Sequence, residues 1–194
     1  MGGAVSSVST RRAPPVQPES NMTETMYTTA RLAVRHLGEG DVDAMHAVYG
    51  DETTMAPIGD GEVLGRTACA EWIQISLRNY EKYGYGMSAV VLRETGDVIG
   101  FCGIVHPGGQ TEPEIKYAFQ ASAWGRGFGT ETVEGMLEHG ERAHGITRMI
   151  GTVHPDNRAS QHVLRKAGFM ELAPRTEEDG SLTLLFERQT KKAE

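Results

Sequence analysis

Apolar and polar positions change period several times along the chain, and each change marks an element. Residues 31–37 (RLAVRHL) alternate as a half-buried strand. Val42, Met45 and Tyr49 then share one helical stripe, with Asp41 placed to cap it. After a loop containing Pro57, Thr67 stands where it would cap a longer helix, whose inner face carries Cys69, Trp72, Ile73, Ser76 and Tyr80. Met87–Leu92 and Val98–Val105 read as strands joined by a hairpin turn at Glu94–Asp97. Glu114–Phe119 alternates again, with Ile115, Tyr117 and Phe119 opposite Glu114, Lys116 and Ala118.

That strand runs into Gly125, Gly127 and Gly129, which alternate with Arg126 and Phe128, and then into Val133, Met136, Leu137, Gly140 and Ala143 at helical spacing. Strand, glycine-rich turn and amphipathic helix together are the sequence form of a phosphate cradle. Glycines let successive N–H groups turn inward, and the helix N-terminus adds its positive dipole end. The plainer alternative is a helix entry that needs flexible residues. Thr147–Val153 reads as a further strand, and Asn157 as the N-cap of a short helix bearing Val163, Leu164 and Ala167. Gly168 supplies a left-handed C-terminal turn, and strands at 169–172 and 182–188 close the chain around a turn at 178–180. The order predicts one mixed α/β domain: strand, two helices, three strands, helix, strand, helix, two strands.

Composition narrows the partners. The chain has 194 residues, 39% of them hydrophobic, which suits one domain with a sizeable core. A net charge of −7 without a basic run argues against nucleic-acid binding, and no apolar run approaches the ~20 residues of a membrane span. Cys69 and Cys102 form no CxxC or CxxH pattern, so no disulfide framework or metal site is expected, and a reducing cytoplasm is the natural home. Residues 1–28, rich in Ser, Thr, Gly and Pro, read as a disordered tail before a domain at 29–188, with a short C-terminal tail at 189–194.

The segments EIKYAF, WGRGFGTE and NRASQHVLRKAGF, in this order and separation, resemble the GCN5-related N-acetyltransferase (GNAT) superfamily, in particular the branch of ribosomal-protein N-terminal acetyltransferases. The resemblance covers roughly residues 29–188. It implies an α/β fold with a mostly antiparallel, twisted sheet that splays between its fourth and fifth strands and is flanked by helices. It implies acetyl-coenzyme A as cosubstrate, without a metal, and an amine as acceptor. By the likeness, the N–H groups of Gly125, Arg126, Gly127, Phe128, Gly129 and Thr130 hold the pyrophosphate. The pantetheine arm runs along Tyr117, Ala118 and Phe119, and Asn157 contacts it or holds the strands apart. Asn157 is equally well explained as a helix cap. A monomer or homodimer fits the branch.

Acyl transfer to an amine needs a base for the nitrogen, polarisation of the thioester carbonyl, and a route out for the thiolate. The branch often places a glutamate at the start of this strand, which makes Glu114 the candidate base, although it could simply pair with Lys116 on the same face. His154, at the end of the neighbouring strand, is the runner-up, with His106 and Glu112 behind it. Two residues depart from the family pattern. Lys116 stands where glycine is common, and Leu164 stands where many relatives carry a tyrosine acid. Ser160 is then the nearest hydroxyl, and without it the thiolate leaves unprotonated or through water. A longer acyl donor, or a non-catalytic coenzyme A-binding module, is the alternative reading. A dinucleotide site is poorer, because GRGFGT is not G-x-G-x-x-G.

Overall fold

A single mixed sheet runs through the computed structural model, which describes residues 24–177 and 179–190. Its elements are β1 (Thr25–Thr28), β2 (Leu32–His36), α1 (Val42–Tyr49), α2 (Glu52–Met55), α3 (Arg66–Tyr83), β3 (Met87–Leu92), β4 (Val98–Val105), β5 (Glu114–Phe119), α4 (Phe128–His144), β6 (Arg148–Val153), α5 (Arg158–Lys166), β7 (Met170–Glu171), β8 (Arg175–Thr176) and β9 (Leu182–Gln189). The strand order is β1-β2-β3-β4-β5-β6-β9-β7, with β8 beside β9. Every pair is antiparallel except β5–β6. β4 and β5 stay in register from Gly100↔Phe119 to Val105↔Glu114, and β6 and β9 from Arg148↔Gln189 to Val153↔Leu184. Between those two blocks only Glu114↔Ile150 pairs. Beyond that point β5 and β6 part, as the resemblance implies.

Each face of the sheet has its own core. Phe128, Val133, Met136 and Leu137 of α4 and Leu164 of α5 pack with Ile104, Ile115 and Phe186 on one face. Met45 and Val48 of α1 and Cys69 and Ile73 of α3 pack with Met87, Phe101 and Ala118 on the other. Alternation along β5 sends Ile115 and Phe119 to the α4–α5 face and Ala118 to the α1–α3 face. By the same parity Tyr117 belongs to the first face, and Glu114 and Lys116 to the second.

Several boundaries differ from the sequence reading. β1 lies inside the segment read as tail, because the partly buried Tyr27 ring packs 5.5 Å from His139 and its hydroxyl donates to the Thr132 carbonyl at 3.0 Å. Residues 1–23 and 191–194 lie outside the described residues. The helix expected after Thr67 starts at Arg66, with Gly65 as its cap, and α2 occupies part of the expected loop. Asp41 sits at the α1 cap, but its carboxylate accepts two bonds from Arg35, at 2.7 and 2.8 Å, and one from the Gly38 N–H. Trp72, read as core, is 40% exposed. Cys69 and Cys102 are buried and unbridged, and among the described residues no helix is long and apolar enough to cross a membrane.

The histidines around α4 give the fold a pH dependence. Burial, and then the charges of His144, Arg142 and His36, hold the His139 imidazole below its usual range. Its Nδ1 is buried with no hydrogen-bond partner among the described residues. Burial likewise lowers His36, against the pull of Glu24 and with the push of His144. The unfolded chain therefore takes up protons at a higher pH than the folded one. The contribution of these two histidines to stability is full above about pH 6.5, their unfolded value, and is lost as pH drops below it. Thermal melts across pH 5–8 should show that fall, and His139→Phe, which keeps a ring against Tyr27, should make it shallower. An unchanged slope in His139→Phe would remove His139 from this account.

Candidate active site

The parting of β5 and β6 opens into a cavity of about 870 Å³. Lys116, Tyr117, Thr152, His154 and Ser160 line it along the two strands and the start of α5. Tyr49 and Trp72 of the α1–α3 layer form a wall, and the β8–β9 turn region contributes Asp179 and Leu182 at its edge.

Glu114 stands where the two strands still pair, 2% exposed. Its Oε1 accepts from the Thr152 N–H at 3.2 Å, from the Thr152 hydroxyl and from Lys116 Nζ, while Gln110 Nε2 donates to Oε2 at 3.2 Å. Lys116 Nζ also donates to Thr152 Oγ1 at 2.8 Å. Glu114 does not itself line the cavity; Lys116 and Thr152 do. The carboxylate is therefore buried behind an ammonium and a hydroxyl that face the open space. Two-position spacing put Glu114 and Lys116 on one face, and the pair forms.

On the other face, Ser160 Oγ lies 2.8 Å from the Tyr117 hydroxyl, which also donates to the Ser160 carbonyl at 3.2 Å. Burial pushes the Tyr117 phenol up, partly offset by the bond to Ser160, so it stays protonated through neutral pH. Leu164 is 1% exposed and packs in the α4–α5 core, where it also borders the cavity. Asn157 caps α5 by accepting from the Ser160 N–H at 3.0 Å, and its Nδ2 donates to the Pro57 carbonyl at 2.8 Å. Both ends of its amide are thus engaged by the fold. His154 lines the cavity, with Nδ1 accepting from the Asp156 N–H at 3.2 Å. His106 also lines it, but both ring nitrogens have partners, the Tyr85 hydroxyl at 2.9 Å and the Gln110 carbonyl at 3.0 Å. Glu112 sits apart, 3.7 Å from Arg148.

The glycine turn follows β5 and enters α4. Gly125 and Gly127 have φ of 70° and 79°, the left-handed region that glycine adopts without strain. Among the described residues, the six N–H groups from Gly125 to Thr130 have no protein acceptor; the first helical bond is Glu131 N–H to the Gly127 carbonyl. Gly129 serves a different purpose. A Cβ there would lie 3.2 Å from Val163 Cγ2, so its missing side chain lets α4 approach α5.

The turn is braced by residues that sequence spacing did not single out. Arg31 pairs with Glu131 at 2.6 Å, donates to the Arg126 carbonyl at 2.9 Å, and lies 4.4 Å from the centre of the Phe128 ring. Despite some burial, bonds from Thr29 and Arg31 hold the Glu131 carboxyl below its usual range. Trp124 Nε1 donates to the Phe119 carbonyl at 2.8 Å, which ties the turn to the end of β5. Thr152 and Gln110, and the contact between the expected site residues Tyr117 and Ser160, were missed for a shared reason. Their partners lie in other elements, and no local period reports such contacts.

Comparison with known proteins agrees with this architecture. A family model described as an acetyltransferase (GNAT) domain matches residues 31–170. The uncharacterized N-acetyltransferase YnaD of Bacillus subtilis is 28% identical over 141 residues, 73% of this chain and 80% of that protein. In fold, the chain is similar to an acetyltransferase from Agrobacterium tumefaciens, with TM-score 0.73 and 24% identity over 84% of this chain and 94% of that one. It is also similar to RimL, a ribosomal-protein α-N-acetyltransferase in complex with coenzyme A, with TM-score 0.73 and 18% identity over 86% and 98%. With the matched family model spanning most of the chain, this protein belongs to the GNAT acetyltransferase family and is an acyltransferase enzyme.

Proposed function

We propose that the protein transfers an acetyl group from acetyl-coenzyme A to a primary amine by direct attack. One observation carries the cofactor half of this reading: the six unpartnered N–H groups from Gly125 to Thr130, at the N-terminus of α4 and just past the split strands. Unpartnered N–H groups and the helix dipole suit a pyrophosphate. The coenzyme A bound to the fold neighbour RimL is in keeping with this. Along the unpaired edge of β5, backbone groups of Tyr117 and Ala118 would hold the pantetheine, leaving the thioester in the slot.

Glu114 is our base. Its carboxylate communicates with the cavity through the Thr152 hydroxyl and the Lys116 ammonium, so a proton from the incoming amine reaches it by way of Thr152. An N–H of β5 polarises the carbonyl as negative charge develops on its oxygen. On the opposite face the Tyr117–Ser160 hydroxyl pair stands ready to return a proton to the departing thiolate, in place of the tyrosine that Leu164 replaces. His154 remains the second candidate base.

Two variants separate binding from chemistry. Gly127→Val forces a branched side chain into left-handed φ and disturbs the unpartnered N–H groups. Losing two bonds to a charged ligand, at about 1.5–3 kcal/mol each, should weaken acetyl-coenzyme A by a hundredfold or more in calorimetric titration. Normal affinity in a folded Gly127→Val protein would sink the assignment of the turn. Glu114→Gln should lower kcat by about 10²-fold while the dissociation constant for acetyl-coenzyme A stays the same. An unchanged kcat would pass the base role to His154 or to water.

A further inference from the structure

The amine that stands in the slot of this structure belongs to the protein. Lys116 lies on the α1–α3 face of β5, beside the parted strands; its side chain is 41% exposed and the residue lines the cavity. It touches the Glu114 carboxylate and the Thr152 hydroxyl, the groups that would take a proton from an acceptor. A primary amine, a proton acceptor in contact with it, and the strand beside which the thioester would lie are thus brought together. We infer that Lys116 is an internal acceptor, and that the enzyme acetylates its own Lys116 Nζ. The inference rests on the acetyl-coenzyme A reading above.

The chemistry balances with that donor alone. The Lys116 ammonium gives one proton to Glu114, directly or through Thr152, and the free amine attacks the thioester carbon. A nitrogen–carbon bond forms and the carbon–sulfur bond breaks, with its electron pair leaving on sulfur. The second nitrogen proton is lost as the amide forms. The thiolate gains one proton from the Tyr117–Ser160 pair, which is recharged from solvent, and Glu114 releases its proton to water. The net change is acetyl-coenzyme A plus Lys116 ammonium to free coenzyme A, acetyl-Lys116 and one proton. Acetylation also removes the charge and one donor from the Glu114 pair. Oε1 would then keep only the Thr152 donors, and the carboxylate would face the slot without a competing cation.

The test uses the full-length protein and acetyl-coenzyme A with no added amine. Intact-mass spectrometry should show the gain of one acetyl group, mapped by peptide analysis to Lys116. The gain should be absent from Lys116→Arg, which keeps the charge, and from Gly127→Val. Its rate should not depend on protein concentration, since the transfer occurs within one molecule. Two results would overturn the inference: an unmodified Lys116 in a protein that binds acetyl-coenzyme A and acetylates amines in a panel, or acetylation that appears equally on Lys82, Lys166 and the heat-unfolded chain. Absence of both cofactor binding and amine acetylation would overturn the proposed function as well, so the two failures are told apart by the parallel binding and panel measurements.

Discussion

Among the described residues, a single register pairing, Glu114 with Ile150, joins the two halves of the sheet as a ladder. On one side, β1 to β5 form a continuous antiparallel block, and on the other β6 pairs along its length with β9. A parallel pair that ends after one register position leaves backbone groups on both strands without sheet partners, which is costly unless something else bonds them. The split therefore both opens the cavity and creates the demand that an extended ligand can meet. The α4–α5 core spans the gap, with Ile115 of β5 and Met149 and Val153 of β6 packed in it.

Where the strands last touch, the charge is concentrated. Glu114 is buried with donors on both carboxylate oxygens, and a buried carboxylate without them would be strongly unfavourable. Lys116 supplies the compensating charge from a partly exposed side chain that lines the cavity. The arrangement places a buried carboxylate behind a cation and a hydroxyl. Any amine that reaches the slot meets Lys116 and Thr152 before it meets Glu114. The opposite face carries no such charge; there Tyr117 and Ser160 offer neutral hydroxyls to the region where a thiolate would depart. The ion pair and the hydroxyl pair are thus separated by the strand itself, because alternate residues of β5 point to opposite faces.

Much of this was legible along the chain. Alternation located β2 to β6 to within a residue at most ends, and Asn157 was found as a cap because capping is a local event. The glycine turn was visible because positive φ at Gly125 and Gly127 needs glycine, a requirement that composition exposes. Gly129 looked the same in sequence but answers to Val163 of α5, a contact that no pattern could report. β1 was hidden because its anchors, His139 and Thr132, lie more than a hundred residues away. Trp72 sits at a helical position that reads as core, yet its ring borders a cavity that the periodicity of one helix does not reveal. Arg31 looked like an ordinary strand-end charge, and only the fold brings it to Glu131 and Arg126.

In the proposed function, the turn and the split strand together form one continuous binding surface for coenzyme A. Amide hydrogen exchange on the protein with and without saturating acetyl-coenzyme A tests it most directly. The account predicts slowed exchange at Gly125–Thr130 together with β5 residues 115–119, and little change in β2 and β3. Binding without slowing at either segment, or slowing confined to elements far from the β5–β6 gap, would contradict it.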